Sequence, residues 1–253
     1  MTEHQLYMTV VWVWLGLAAF TCLSLFFFTA PYGRHARAGW GPMIERTKAW
    51  MIMESPVVFL PLAFFLASDR RQLVPYGIFL LIWEFHYLHR TFVFPFRMRG
   101  GQPKMPISIV LSAIVFNVGN AYLQARWIFG LREPYPTDWL SDPRFVIGLV
   151  LFVAGFAINY HSDGITRNLR KPGETGYRIP YGGFYRWVSM PNYFGELIEW
   201  TGWAILTWSR GGVVFVLWSA ANLVPRAIAN HKWYHEKFPD YPRERRAVIP
   251  GLV

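Results

Sequence analysis

Long apolar runs separated by short polar segments extend along this chain from one end to the other. An α-helix rises about 1.5 Å per residue, so about 20 apolar residues cross the roughly 30 Å hydrocarbon core of a bilayer. Seven runs reach or approach that length, at residues 6–29, 49–67, 74–94, 106–128, 144–160, 193–209 and 212–229. The pattern therefore predicts an all-α, multi-pass membrane protein with seven transmembrane helices, in a single domain over residues 1–253.

The charged residues are few, and their distribution predicts an orientation. Only 16% of the 253 residues are charged, although the formal net charge is +10. Lys and Arg are scattered through short loops and form no stripe with stacking aromatics, so nucleic acid is not expected as a partner. If the N-terminus is outside or lumenal and the C-terminus is cytosolic, most of these Lys and Arg residues lie on the cytosolic side of the membrane, so we predict this orientation. We expect a monomer surrounded by lipid, in the endoplasmic reticulum of a eukaryote or the inner membrane of a bacterium.

The cysteine and histidine content excludes several kinds of redox site. Cys22 is the single cysteine, which leaves no disulfide framework, iron–sulfur site or thiolate zinc site. The seven histidines do not cluster as the ligands of a membrane di-iron site would, so we expect no metal. Redox chemistry in this chain would need an organic cofactor.

Glu54 and Tyr87 form the first candidate site. Glu54 lies about five residues inside the cytosolic end of the second run and Tyr87 about seven inside that of the third, so both sit about 8–10 Å deep. A protonated carboxyl beside a phenol offers two hydrogen-bond donors to a ligand carbonyl. A structural alternative is that Glu54 caps a helix after Lys48 or pairs with Arg90. Because ionisable groups within membranes are usually functional, we favour the carbonyl site.

Two helical faces near the cytosolic boundary carry polar residues three or four positions apart. One face belongs to a fifth helix that would continue into the cytosol, and it suits ribose and phosphate groups. The other belongs to the seventh run, with His231 beside it, where snorkelling to lipid headgroups is an equally good explanation. The residues of the two faces are Asn159, Asp163, Arg167 and Arg170, and then Arg226, Asn230 and Tyr234.

The polar segment at residues 161–192 completes a cytosolic layer. Its stretch LRKPGETGYRIPYGGF places Arg170 among Pro and Gly, a composition suited to a loop that grips phosphate. Asn192, Glu196 and Glu199 then share a face of the sixth helix that is too acidic for lipid. We expect a large anionic cofactor from the cytosol, bound without a Rossmann fold because no GxGxxG follows a strand. The apolar outer halves of the helices suit a lipid substrate.

Several segments carry a family resemblance. They are ESP at 54–56, HYLHRTFVF at 86–94, GN at 119–120, NYHSD at 159–163, LRKPGETGYRIPYGGF at 169–184, NYFGELIEW at 192–200 and the tail HEKFPDYPRERRAVIP. Over nearly the whole chain they resemble the steroid 5-alpha-reductase (3-oxo-5-alpha-steroid 4-dehydrogenase) family. The C-terminal half alone is also similar to isoprenylcysteine methyltransferases and to other sterol, enoyl-CoA and polyprenol reductases, and HYLHRTFVF narrows the choice.

The resemblance implies an enzyme that takes a hydride from NADPH and delivers it to C5 of a 3-oxo-4-ene steroid, which enters from the bilayer. Glu54 and Tyr87 then correspond to the pair that polarises the C3 carbonyl. Residues 1–105 would form the substrate-carbonyl half, and residues 106–253, with the cytosolic loop 161–192 and the tail, the NADPH-binding half. The cofactor contacts carried over by matching motif are Asn159, Asp163, Arg170, Tyr177, Asn192, Glu196, Arg226, Asn230, His231 and Tyr234.

Three alternatives stay open on the sequence alone. A related membrane reductase would act on another enone or enoyl lipid, such as a polyprenal or an enoyl-CoA. An isoprenylcysteine-type methyltransferase would bind cationic S-adenosylmethionine, which has no need of Arg170 and Arg226 for phosphate. A sterol-binding or transport protein would use Glu54 and Tyr87 to hold a lipid hydroxyl, which leaves the basic cytosolic face unexplained.

Overall fold

Eight α-helices account for most of the chain that the structure describes. The computed structural model describes residues 1–29, 35, 39–99, 104–169, 174 and 176–253. Each of the seven apolar runs forms a helix. The helices are α1 (Glu3–Phe27), α2 (Arg46–Leu66), α3 (Val74–Leu88), α4 (Phe94–Arg97), α5 (Ile107–Arg126), α6 (Pro143–Asn168), α7 (Pro191–Thr207) and α8 (Arg210–Lys237).

Shorter helical turns connect or extend these elements. A π-helical turn at His89–Val93 joins α3 to α4, so the third run forms one continuous helical segment. A second π-helical turn at Trp127–Leu131 extends α5. Single 3₁₀ turns at Trp139–Ser141 and Gly183–Arg186 precede α6 and α7.

Within the described residues, five helices are long and apolar enough to cross a bilayer: α1, α2, α5 with its π-helical turn, α6 and α8. Large apolar side chains point outward from them, including Trp12, Phe20 and Val153, which are 67%, 69% and 58% exposed. Soluble proteins rarely expose so much contiguous apolar surface, whereas lipid solvates it. The chain is therefore an all-α integral membrane protein. The remaining two segments are shorter, because α7 has 17 residues and α3 has 15 before its π-helical turn.

A small β-ribbon departs from the all-helical prediction. β1 (Met43–Glu45) pairs antiparallel with β2 (Lys104–Pro106), and Ile44 lies opposite Met105. Strands of three residues are too short for a period-two pattern to reveal them in the sequence. The ribbon ties the beginning of α2 to the beginning of α5, and these two helices pack along each other.

Two helices continue beyond the apolar runs that predicted them. The fifth run ends near residue 160, yet α6 continues to Asn168, and α8 continues from residue 229 to Lys237. A helix bonds its own backbone in water as well as in lipid, so hydropathy underestimates its length. The prediction that the fifth helix runs on into a polar region is confirmed. At the other end of α6, hydrogen bonds from Arg144 to the capping Asp142 lower the pKa of that carboxyl to about 2.

Glycines let α6 and α7 touch backbone to backbone. Gly148 lies against Gly202, and Gly155 lies against Gly195. A Cβ added to Gly195 would lie only 2.6 Å from both the backbone nitrogen of Asn159 and the carbonyl oxygen of Gly155. Small residues at such crossings allow membrane helices to pack closely. The close approach sets Asn159 beside the beginning of α7, where several predicted site residues lie.

An aromatic core joins α3, α7 and α8. The ring of Trp83 lies 5.8 Å from Trp200 and 5.1 Å from Trp203, and Trp200 lies 4.5 Å from Phe215. Buried indole N–H groups need acceptors, and Trp83 Nε1 donates to the Val57 carbonyl at 2.7 Å. This core supports the helix that carries Tyr87.

Candidate active site

Glu54 lies on α2, where α5 packs against it. Its Oε2 accepts a hydrogen bond from Asn117 Nδ2 at 3.2 Å, and the same amide donates to the Met53 carbonyl at 2.6 Å. Asn117 is itself buried. The bond from α5 therefore fixes the position of the Glu54 carboxyl in the interior of the helix bundle.

Neither structural alternative for Glu54 is found in the described residues. Glu54 lies in the interior of α2, whose N-cap is Glu45, and it forms no ion pair with Arg90. Lys48 pairs with Glu45 at 3.4 Å, and the Arg90 guanidinium lies 3.6 Å from Glu196. Arg90 is still near enough for its charge to interact with Glu54. The carboxyl of Glu54 thus lies in the field of a cation without being in direct contact with it.

Tyr87 lies on α3 in a pocket of aromatic rings and is only 4% exposed. Its ring stacks on Trp200 at 5.6 Å and 24°, and it contacts Trp83 at 4.6 Å and the edge of His86 at 4.8 Å. Glu54 is close enough to interact electrostatically with the Tyr87 phenol. The structure therefore brings the two predicted carbonyl-binding groups into one neighbourhood.

A polar network continues from there between α6 and α7. Glu196 Oε1 accepts from Asn159 Nδ2 at 3.1 Å, and it is the same oxygen that pairs with Arg90. Asn159 Nδ2 also donates to the Asn192 carbonyl at 3.1 Å, and Asn192 Nδ2 donates to Asp163 Oδ1 at 3.1 Å. The predicted residues of α6 and of the first turns of α7 are thus one connected set.

The side chains of this set keep part of their accessible surface. Glu54, Arg90 and Asp163 are all half-buried. Asn192 Oδ1 is in addition a buried acceptor with no hydrogen-bond partner among the described residues. An unsatisfied buried amide oxygen is costly, so it is suited to a ligand that donates a hydrogen bond.

Two of the predicted α8 residues make contacts inside the protein. The Arg226 guanidinium lies over the ring of Tyr193, 5.4 Å from its centre, and Tyr193 is adjacent to Asn192 in α7. Asn230 is buried, and its Oδ1 lies 3.0 Å from His35 Nε2. The helical spacing that singled out these residues therefore corresponds to inward contacts rather than to snorkelling.

The other two α8 residues contact the C-terminal tail. His231 Nδ1 lies 2.6 Å from Ser189 Oγ, which also accepts from the Tyr241 hydroxyl at 2.7 Å. Tyr234 is buried and stacks on Tyr241 at 4.9 Å and 12°. Burial raises the pKa of Tyr241, so this phenol stays neutral. The Ser189 amide donates to the Arg246 carbonyl at 2.8 Å, which closes the tail over the helix ends.

Two predicted contacts belong to the polar loop between α6 and α7. The ring of Tyr177 lies 5.0 Å from Trp233 of α8 in an edge-on contact, which brings this part of the loop to α8. Arg170 lies outside the described residues.

Three residues of the site were not predicted from the sequence. Asn117 had a detectable signal, since it recurs with Asn120 and Gln124 at i, i+3 and i+7 within an apolar run, as a buried polar stripe would. His86 and Trp200 had no such signal in the sequence, because aromatic residues and single histidines are common on membrane helices. Only the packing of α3 against α7 shows that both surround Tyr87.

Comparison with known proteins adds a family. Residues 103–253 match the family model described as 3-oxo-5-alpha-steroid 4-dehydrogenase. The chain is 45% identical to a protein of Gossypium hirsutum named steroid 5-alpha-reductase DET2. The aligned region of 238 residues covers 92% of each chain.

Animal proteins are similar to the same extent. The protein of Bos taurus named 3-oxo-5-alpha-steroid 4-dehydrogenase 1 is 44% identical over 243 residues, which is 94% of this chain and 93% of that one. The Homo sapiens protein of the same name is 43% identical over 223 residues, with 87% and 85% of the two chains covered.

Proposed function

The chain belongs to the steroid 5-alpha-reductase family, and on that premise we propose that it reduces the C4–C5 double bond of 3-oxo-4-ene steroids with NADPH. The observation that carries the proposal is the contact between the helices of Glu54 and Tyr87, where Trp83 touches the Tyr87 ring and donates to the Val57 carbonyl of α2. A polar network from Arg90 through Glu196 to Asn159, Asp163 and Asn192 lies between α6 and α7. The family supplies the reaction class. The network supplies donors for a ketone and acceptors for a cofactor.

Glu54 and Tyr87 act on the C3 carbonyl of the steroid. When bound, the reduced nicotinamide supplies the hydride that adds at C5. Negative charge then develops on the C3 oxygen, and donors already aimed there lower the barrier most where water is excluded. Asn117 orients the Glu54 carboxyl, and Trp83 and Trp200 enclose the Tyr87 ring. A proton from solvent completes the product at C4, giving the saturated 5-alpha ketone.

The α6 and α7 side chains fit the cofactor's polar groups. Ribose hydroxyls and a carboxamide donate hydrogen bonds, and Asn192 Oδ1 is a buried acceptor suited to one of them. Asn159, Asp163 and Glu196 supply further amide and carboxylate groups. We assign the remaining cofactor contacts to Arg170, Tyr177, Arg226, Asn230, His231 and Tyr234. The guanidinium groups of Arg170 and Arg226 favour binding of NADPH over NADH, because NADPH carries an additional phosphate.

Purified protein in detergent is expected to oxidise NADPH only when a 3-oxo-4-ene steroid is present, and to release a product heavier by two hydrogens. NADPH at 100 times its Kd is expected to stabilise the fold by about 2.7 kcal/mol, seen as a rise in Tm. S-adenosylmethionine at the same concentration is expected to leave Tm unchanged.

The matched variants for this experiment are Asn192→Ala and Asn120→Ala. Asn192→Ala removes one side chain of the network and should weaken the NADPH-dependent rise in Tm. Asn120 is also a buried amide, but it accepts from Gln124 on α5, so its variant should keep the rise. A rise in Tm with S-adenosylmethionine but not with NADPH would contradict the proposed reductase and indicate a methyltransferase.

We further propose that all seven helical segments span the membrane, with the N-terminus outside or lumenal and the C-terminus cytosolic. α3 with α4, and α7, complete the bundle because they pack against the five longer helices. In this orientation the loop between α6 and α7 and the tail lie beside the cytosolic cofactor, and residues 1–105 bind the steroid carbonyl. The steroid reaches the monomeric enzyme from the lipid, in the endoplasmic reticulum or a bacterial inner membrane.

Cysteine labelling in bacterial cells that carry the protein in their inner membrane tests this topology. In a Cys22→Ala background, exposed Thr137 and Asp240 are replaced singly by Cys. A membrane-impermeant maleimide added outside intact cells is expected to label Thr137→Cys and not Asp240→Cys, and to label both after detergent is added. The two positions flank an odd number of segments, so equal labelling in intact cells would contradict the seven-span orientation.

A further inference from the structure

A hydrogen bond between His86 and Glu199 joins α3 to α7 in the interior of the protein. His86 Nδ1 lies 2.7 Å from Glu199 Oε1, and the two side chains are 7% and 0% exposed. The second oxygen, Glu199 Oε2, is buried and has no hydrogen-bond partner in the described part of the chain. Burying a carboxyl group inside a membrane protein is expensive, and such groups are retained where they have a function.

The pair does not line the proposed cofactor site. Glu196, one turn earlier on α7, keeps 13% of its side-chain surface and bonds to Asn159 and Arg90. Glu199 has no accessible surface, so it touches neither substrate nor cofactor. Any effect of this carboxyl on the reaction must therefore act through another side chain.

Tyr87 is the side chain that the pair contacts. His86 precedes Tyr87 in α3, and Glu199 precedes Trp200 in α7. The His86 ring lies edge-on against both Tyr87 and Trp200, at 4.8 Å and 4.5 Å, while Tyr87 and Trp200 stack on each other. The hydrogen bond and the three ring contacts form a closed unit, so α3 cannot shift against α7 without moving the Tyr87 ring.

We propose that the His86/Glu199 pair positions Tyr87, by holding its ring on Trp200 so that the hydroxyl meets the substrate carbonyl. This inference rests on the proposed function, in which Tyr87 is the carbonyl donor. A catalytic group misplaced by about 1 Å can cost about 100-fold in rate. A hydrogen bond that joins the two helices beside the ring prevents such a shift.

Removal of the bond is expected to lower kcat while binding persists. Glu199→Leu should reduce kcat by about 10- to 100-fold and leave KM for NADPH within about threefold, because positioning acts in the transition state. Glu199→Gln should recover most of the loss, since an amide can serve His86 Nδ1 in either tautomer. His86→Phe should reproduce the effect of Glu199→Leu, and it takes that variant's place if Glu199→Leu yields too little folded protein.

A double-mutant cycle with Tyr87→Phe separates positioning from general support of the fold. If the pair acts by placing the hydroxyl, Glu199→Leu should change kcat by no more than about twofold once that hydroxyl is absent. If the pair only holds the helices together, Glu199→Leu should lower kcat by the same factor in both backgrounds. The second result would overturn the proposal.

The cycle also distinguishes failure of this inference from failure of the proposed function. If Tyr87→Phe keeps full activity, Tyr87 is not the carbonyl donor, and the proposed positioning role of the His86/Glu199 pair is contradicted as well. If Tyr87→Phe has low kcat and Glu199→Leu lowers kcat by the same factor with and without the hydroxyl, only the positioning role is overturned. Tyr135→Phe is the matched control, because it deletes a buried hydrogen bond of 2.6 Å to Thr207 at the other end of α7. It should lower Tm without changing kcat.

Discussion

Tyr87→Phe is expected to lower kcat for a 3-oxo-4-ene steroid by about 10²- to 10³-fold, as removal of one oxyanion-stabilising donor does. Glu54→Gln should cause a loss of similar size, because an amide N–H is a weaker donor than a carboxylic O–H. Both changes preserve the shape of the side chain and its packing. The loss should therefore appear in turnover, measured as NADPH oxidation, and not in Tm or in NADPH binding.

Matched controls lie on the same helix as Tyr87. Tyr76 is a fully buried tyrosine at the other end of α3, and its hydroxyl accepts from the Tyr135 amide at 3.1 Å. Tyr76→Phe should cost some stability and leave kcat unchanged. Glu84 is an acidic residue in the interior of α3, and no charged side chain of the described chain interacts with it. Glu84→Gln should therefore keep full turnover. Normal turnover of both Tyr87→Phe and Glu54→Gln would remove the carbonyl site but not the family.

Gly155→Val is expected to destroy the fold rather than the chemistry. Even a single Cβ on Gly155 would lie 2.5 Å from the Gly195 carbonyl oxygen and 2.7 Å from Glu199 Cα. Backbone atoms cannot rotate away as a side chain can, so α6 and α7 must separate. Overpacking commonly costs about 1–3 kcal/mol, and we expect a loss at or above the upper end of that range. The measurements are the yield of monodisperse protein in detergent and its Tm.

Gly164 provides the control within the same helix. A Cβ there would meet nothing closer than 3.6 Å, the end of the Arg167 side chain. Gly164→Ala should be tolerated and should stabilise the helix by about 0.5–1 kcal/mol, because glycine is a poor helix former. A folded, NADPH-binding Gly155→Val protein would show that the close approach of α6 and α7 does not build the site.

Much of the candidate site could be predicted because polar residues are rare in this chain. Asn159 and Asp163 stand four residues apart at the end of an apolar run, and such a position requires partners. The structure supplies them from Asn192 and Glu196. Pairings could not be predicted, because spacing along one helix says nothing about the helix that faces it. Arg90 was considered as a partner of Glu54, yet its ion pair is with Glu196.

The class of protein, the helical segments and the family follow from the sequence alone. A backbone in lipid must satisfy its own hydrogen bonds, so a long apolar run has essentially one outcome. Only the tertiary structure decided what each polar side chain does. Glu196 and Glu199 lie three residues apart and look equivalent in sequence, but one borders the proposed cofactor site and the other is sealed against His86. The difference arises from the close approach of α6 and α7 and the packing of α3 against them, contacts between residues far apart in the chain.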